Sequence, residues 1–445
     1  MTEFPPAPRV TGDLRADAAA LHAHAGRADD LIAALPPKPE RSPAAQESAA
    51  LAHRSARFAR QRFLRAHAAA VHARAADGGS GHPAQLVRTA AHAFPGLVPT
   101  EAQLDGELGR RQADKEGREV DQGIFFHEML RLPGPGRRIL EAALRPTPRA
   151  HDLLPAFAAA GSVDLGTVRV DRRDGVAHVT IRNIHCLNAE DNALAADLET
   201  AVDLVLLDDA SGVGVLRGAR MTHPKYAGRR VFSAGINLKE LHAGRISYVD
   251  FLLGRELGLV NKLCRGVLRE ETEDTWPHAA LAKPWLGAVD TFAIGGGMQI
   301  TLVLDRVLAA SDAYFSLPAA KEGIVPGAGN LRLRRLAGGR LARQIVLWGR
   351  RIAATDPEGA LFADAVLAPE ELDAAVRHEA PLLAGAAVTA NRRMLVVAEE
   401  PLDAFRSYAA EFALAQALRL YSEDVLTKVG RFATGERDTA AAGAR

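Results

Sequence analysis

A chain of 445 residues is too long for one ordinary core, so two or three compact units are expected. Its 55 Lys and Arg nearly cancel its 54 Asp and Glu, and a formal charge of +1 argues against nucleic acid or an anionic membrane as the main partner. Only two cysteines occur, Cys186 and Cys264, without metal-ligand spacing, which argues against a disulfide scaffold and points to the cytoplasm.

The first residues, MTEFPPAPRV, carry no charged stretch followed by an apolar one, so no signal peptide is expected. No apolar run reaches the ~18 residues of a membrane span, so no membrane contact is expected either. Residues 1–160 are rich in Ala, Arg, His and Leu. In AAALHAHAGRADDLIAAL and ESAALAHRSARFARQRFLRAHAAAVHARAA the apolar residues recur at helical spacing, while PPKPERSP, DGGSGHP and LPGPG punctuate them. An all-helical N-terminal domain over 1–160 follows, and the interspersed Leu, Phe and Val indicate packing rather than a low-complexity tail.

The period changes at GTVRVDRRDGVAHVTIRN, residues 166–183. Val168 and Val170 alternate with polar residues, Asp174-Gly175 can turn the chain, and Ala177, Val179 and Ile181 alternate again, which predicts a hairpin. Leu194, Leu198, Val202 and Leu206 then form one stripe of a helix, and GVGVLRG reads as a short buried strand. Strand, helix and strand imply a crossover and a partly parallel sheet. The unit recurs: VFSAG, residues 231–235, reads as a strand leading into INLKELHAG, and WLGAVDTFAIGGG leads into MQITLVLDR. VLAAS and YFSLP add short strands. The α/β core spans 161–355, and residues 356–445 read as a C-terminal helical region.

Two turns carry the chemistry, SAGINL and AIGGGMQ. In each, small residues precede a short helix, whose first N–H groups lack internal partners and favour negative charge. Two such starts converging would hold one oxyanion between two backbone N–H groups, a donor pair in which each member is commonly worth ~10²–10³ in rate. Either turn alone is equally a plain tight connection.

The combination, with TIRNIHCLNAEDNAL, VFSAGINLKEL, AVDTFAIGGGMQITLVLDRVLAASDAYFSLP, GIVPGAGNLRLRRLAG and YSEDVLTKVGRF in this order, resembles the crotonase (enoyl-CoA hydratase/isomerase) superfamily across roughly residues 165–435. The resemblance implies an α/β fold with a crotonase-like ββα spiral core, preceded here by the helical domain and followed by C-terminal helices. It implies a thioester carbonyl held by the N–H groups of Ile236 and Gly296. The backbone of Ser233, Ala234, Gly235, Asn237 and Leu238, together with Gly297 and Pro326-Gly327-Ala328, would line the CoA groove. It also implies a homo-oligomer, trimer or hexamer, with the C-terminal region in the contacts.

The resemblance breaks at the acids. Hydratases of the family carry two glutamates where this chain has Gln299 and Ala319. An amide takes no proton at neutral pH and a methyl group does nothing with water, so ordinary hydration is not expected. Asn237 and Val429 also stand where the family commonly has Asp and Glu. The whole chain, helical domain included, is similar to the branch of the superfamily that oxygenates 3,5-dihydroxyphenylacetyl-CoA. That branch uses O₂ as co-substrate without metal or organic cofactor and gives 3,5-dihydroxyphenylglyoxylate and free CoA, on the way to the dihydroxyphenylglycine of vancomycin-type antibiotics.

The residues agree with chemistry free of cofactors. His22 and His24 lie on different helical faces, and His127-Glu128 lacks the second His of a zinc helix, so no metal site is expected. No dinucleotide fingerprint with a downstream acid occurs. Catalysis would then fall to Ile236, Gly296 and Gln299. Glu190, Arg255 and Gln299 are the candidates for two phenol hydroxyls, since a phenol donates to a carboxylate and accepts from a guanidinium or amide. His223, Lys225, Arg229 and Arg230, in the basic segment 217–230, are candidates for the CoA phosphates. Ile236, Leu238, Ile324 and Val425 are candidates for an apolar space for O₂. The α-proton acceptor stays open between Glu190, a substrate phenolate and a water relay. Rival readings are a thioesterase, decarboxylase or isomerase working without O₂, or a non-enzymatic scaffold.

Overall fold

Proline and serine punctuation sets the N-terminal helices. Asp13 accepts the Ala16 N–H at 2.7 Å to open the helix Leu14–Ala33, and Ser42 accepts that of Ala45 at 3.3 Å to open Pro43–Ala76, whose first residue is proline. In the computed structural model, which describes residues 4–77, 79, 81–276 and 279–434, these two helices pack together through Ala28, Ile32, Ala49, Ala52 and Ala56. Alanine at the contact lets the two backbones approach closely.

The chain forms two compact units. The first gathers Met1–Ala143, Leu238–Asp250 and Arg406–Arg445. One carboxylate joins its three segments: Glu119 accepts the Tyr248 N–H at 3.1 Å and the Tyr421 hydroxyl. Asp121, fully buried, is paired with Arg57 and Arg60.

The second unit, Leu144–Asn237 and Phe251–Phe405, holds the strands. They are β1 (Ser162–Asp164), β2 (Val168–Arg173), β3 (Val176–Ile181), β4 (Val213–Gly218), β5 (Val267–Leu268), β6 (Ala280–Leu281), β7 (Trp285–Val289), β8 (Phe292–Ile294), β9 (Arg306–Ala310), β10 (Tyr314–Ser316), β11 (Ile352–Ala353) and β12 (Ala365–Leu367). A seven-stranded sheet runs β1-β2-β3-β4-β7-β9-β12, antiparallel through β3 and parallel thereafter. A smaller sheet runs β11-β10-β8, and β5 pairs with β6. The expected hairpin is β2–β3, turned at Asp174 and Gly175 with φ of 49° and 77°. The expected stripe Leu194, Leu198, Val202 and Leu206 is buried on the helix Asn192–Leu207, which Asp191 caps by accepting the Leu194 N–H at 3.0 Å.

Two expectations are corrected. Residues 231–235 form no strand: Ser233 makes a single bridge to Ala293, while the Asn188 side chain takes the Val231 carbonyl at 2.7 Å. The stretch after 355 is not helical throughout, because β12 completes the edge of the large sheet. Among the described residues no helix is long and apolar enough to cross a membrane.

Candidate active site

The two glycine turns lie side by side. Ile294 donates its N–H to the Ser233 carbonyl at 2.9 Å, and a Cβ on Gly295 would sit 3.1 Å from the Gly235 Cα and 4.0 Å from the Ile236 nitrogen. Each turn needs its glycine: Gly235 and Gly295 have φ of 85° and 54°. Ser233 Oγ accepts the Gly235 N–H at 3.1 Å and holds the first turn in shape. The Ser316 carbonyl accepts the Gly295 N–H at 2.8 Å and holds the second. Among the described residues neither the Ile236 N–H nor the Gly296 N–H has an acceptor. Two neighbouring backbone donors, both available, form the local geometry of an oxyanion site.

Behind these turns sits a buried ion cluster. Arg255, on the short helix Gly254–Leu257, pairs with Glu190 through Nε, donates from Nη1 to Glu256 at 2.6 Å and to Gln299 Oε1 at 3.0 Å, and from Nη2 to the Gly296 carbonyl at 2.8 Å. Glu190 in turn packs against Gly296, where a Cβ would overlap its carboxylate. Burial alone would weaken the guanidinium charge, but Glu190 and Glu256 more than offset it and hold Arg255 above its ordinary value. The cation is therefore permanent at neutral pH.

The sequence candidates divide sharply. Glu190, Arg255, Gln299 and Gly296 meet in one cluster, although Glu190 and Gln299 lie 65 and 44 positions from Arg255. Glu190 also ties itself to the first turn, donating to the Gly235 carbonyl at 2.7 Å and accepting the Asn237 N–H at 2.8 Å. Gly297 is packed on Ser233, with room for no Cβ beyond 2.7 Å from the serine Cβ. Pro326, Gly327 and Ala328 are buried, and the Ala328 N–H donates to Glu256 at 2.8 Å. Ala234, Ile236 and Ile324 are partly buried, Ser233, Gly235 and Asn237 buried. Leu238 and Val425 belong to the first unit, on the helices Leu238–His242 and Glu423–Thr434, which pack against each other there.

The basic segment is different. His223 and Lys225 are exposed; the Lys225 ammonium lies 5.2 Å from the Tyr226 ring centre and its N–H donates to the His223 ring at 3.3 Å. Arg229 pairs with Asp312, and Arg230 donates to the Gly218 carbonyl at 3.2 Å. None of these contacts touches the Arg255 cluster.

Sequence reading missed Glu256, the second carboxylate partner of Arg255. Its signal was the pair Arg255-Glu256 ahead of a glycine, which reads as an ordinary charged helix until Gly327 is seen to need the space beside it. Glu322 was also passed over. It closes the one-turn helix Ala319–Glu322, and burial pushes its carboxyl up to about 7.

A family model described as enoyl-CoA hydratase/isomerase matches residues 171–420. A protein of Amycolatopsis orientalis named (3,5-dihydroxyphenyl)acetyl-CoA 1,2-dioxygenase is 55% identical over 423 residues, 95% of this chain and 97% of that one. A probable enoyl-CoA hydratase of Rhizobium meliloti (strain 1021) is 30% identical over 208 residues, 46% of this chain and 70% of its own. Among solved structures, an enoyl-CoA hydratase/isomerase from Pseudoalteromonas atlantica T6c covers 61% of this chain and 98% of its own, with 21% identity and a TM-score of 0.49.

Proposed function

The chain belongs to the enoyl-CoA hydratase/isomerase family, and from that membership we propose that it is a dioxygenase, independent of metal and organic cofactor, that converts (3,5-dihydroxyphenyl)acetyl-CoA and O₂ to 3,5-dihydroxyphenylglyoxylate and CoA. The near end-to-end relative supports the substrate and the reaction. The observation that carries the chemistry is the pair of available N–H groups at Ile236 and Gly296, backed by an amide at Gln299 rather than an acid.

The substrate's α-carbon lies between a ring and a thioester carbonyl. Its first proton leaves, and the electron pair moves onto the carbonyl oxygen, where the two N–H groups stabilise it. The enolate passes one electron to O₂, and the radical pair joins at the α-carbon to give a peroxide. The outer peroxide oxygen attacks the thioester carbonyl and expels the CoA thiolate. Loss of the second α-proton then breaks the O–O bond and leaves the α-keto acid. Four electrons have passed from the α-carbon to O₂, and no external reductant is needed.

Glu190, Arg255 and Gln299 are the groups for the ring hydroxyls, and their mutual hydrogen bonds support a fixed polar patch beside Gly296. His223 and Lys225, exposed on their loop, are suited to the CoA phosphates. The protein works as a homo-oligomer in the cytoplasm. Trp348, 78% accessible, and Met394, Leu395 and Val397 on the helix Ala386–Glu399 are exposed apolar side chains that a second copy would cover. The product feeds dihydroxyphenylglycine supply.

The test is oxygen uptake by metal-stripped protein on adding (3,5-dihydroxyphenyl)acetyl-CoA. One O₂ consumed per CoA released supports the reading. CoA release at full rate without O₂ would make the protein a thioesterase instead.

A further inference from the structure

The proposed reaction needs a base, and the acids beside the glycine turns are engaged. Both Glu190 oxygens face Arg255, and Glu256 holds Arg255 and the Ala328 N–H. Gln299 cannot take a proton. A base must then come from the next segment tied to the turns.

That segment is 316–329. At its start the Ser316 carbonyl accepts the Gly295 N–H, one peptide before Gly296. At its end a Cβ on Gly329 would lie 3.1 Å from Leu317 Cδ2 and 3.2 Å from Gln299 Cγ. The chain thus leaves the second glycine turn and returns to Gln299, with the one-turn helix Ala319–Glu322 between the two anchor points. Ala319 and Glu322 stand three apart and so share a face of that helix, and Ala319 is buried.

Glu322 is also free of claims. Among the described residues its carboxylate has no hydrogen-bond or ion-pair partner, and burial is the one cause acting on it. Lys321, its chain neighbour, lies along Gly349, and Arg332 and Arg335, on the helix packed against this one, are paired with Glu400. A partly buried carboxylate without a partner is costly unless it has a task.

Resting on the dioxygenase reading, we propose that Glu322 is the general base that removes the α-proton of the arylacetyl thioester. The Cα–H bond breaks, the proton moves to the Glu322 carboxylate, and the electron pair goes to the oxygen between Ile236 and Gly296.

The test uses the full chain, as wild type, Glu322→Gln and Glu322→Asp, with (3,5-dihydroxyphenyl)acetyl-CoA. Anaerobic exchange of the α-proton in D₂O and aerobic O₂ uptake are both followed. In wild type both proceed, and kcat/KM rises with pH to a plateau with a midpoint near about 7. Glu322→Gln loses ~10²–10⁴-fold in exchange and kcat with KM little changed, and its pH limb disappears. Glu322→Asp keeps part of the rate. Removing an unpartnered carboxylate leaves the melting temperature at pH 8 equal or higher, so lost activity is not lost fold. Wild-type O₂ uptake with unchanged exchange in Glu322→Gln overturns the assignment alone. Absence of O₂ uptake by wild type overturns the activity, and the base with it.

Discussion

Two buried cations in the second unit each hold two carboxylates, and they teach different things. Lys262 is sealed, binding Glu199 at 2.8 Å and Asp203 at 2.9 Å, with Asp203 also accepting the Thr147 N–H at 2.7 Å. Every partner there is part of the scaffold. Arg255 likewise holds two acids, Glu190 and Glu256, yet it also reaches a neutral amide and the carbonyl of Gly296, beside an available N–H. Buried ion pairs by themselves say little about function. The one whose hydrogen bonds end on a turn with free donors is the one that can act on a ligand.

The largest expected effect breaks the comparison most directly. Arg255→Met should lower kcat ~10²–10³-fold, because Glu190 and Gln299 lose their common partner beside Gly296. Lys262→Met should leave kcat per folded molecule unchanged while costing ~3–5 kcal/mol of stability, since Glu199 and Asp203 stay buried without their cation. Urea denaturation and O₂ uptake on both variants separate the two. A fall in kcat for folded Lys262→Met would erase the distinction.

Gly296→Ala comes next. A Cβ there overlaps the Glu190 carboxylate, so kcat should drop ~10²-fold with the fold retained by circular dichroism.

A smaller effect lies in pH. Burial, offset in part by Lys262, pushes Asp203 from its ordinary 3.8 up to about 6. The folded state therefore binds this proton more tightly than the unfolded one, and stability should fall as pH rises between those values. Asp203→Asn should flatten that slope, by on the order of 1 kcal/mol, in melting curves from pH 4 to 7. Arg255, held above its ordinary value, adds no such slope.

The smallest effect is on the exposed loop. Lys225→Ala should raise KM ~5-fold or less, with kcat unchanged and a weaker dependence on salt.

The sequence made the two turns legible only as a pair, since either one alone reads equally as a plain tight connection, and it singled out Glu190, Arg255 and Gln299 one by one. That they join was not legible: their separations of 65 and 44 positions carry no periodic signal. The hairpin and the helix after it were readable from alternation and from one apolar stripe. Residues 231–235 misled because alternating small and apolar residues read as a strand, whereas a side-chain amide takes the Val231 carbonyl. β12 is three residues long, too short for a period to show inside a helical stretch. The first unit draws in 238–250 and 406–434 through Glu119, a link no local pattern announces.

The most direct measurement is a crystal structure with an unreactive (3,5-dihydroxyphenyl)acetyl-CoA analogue, its carbonyl intact and its α-carbon blocked. The account predicts the analogue's oxygen within ~3.1 Å of both the Ile236 and Gly296 nitrogens, with the ring against Glu190, Arg255 and Gln299. An oxygen bound to neither nitrogen would contradict it.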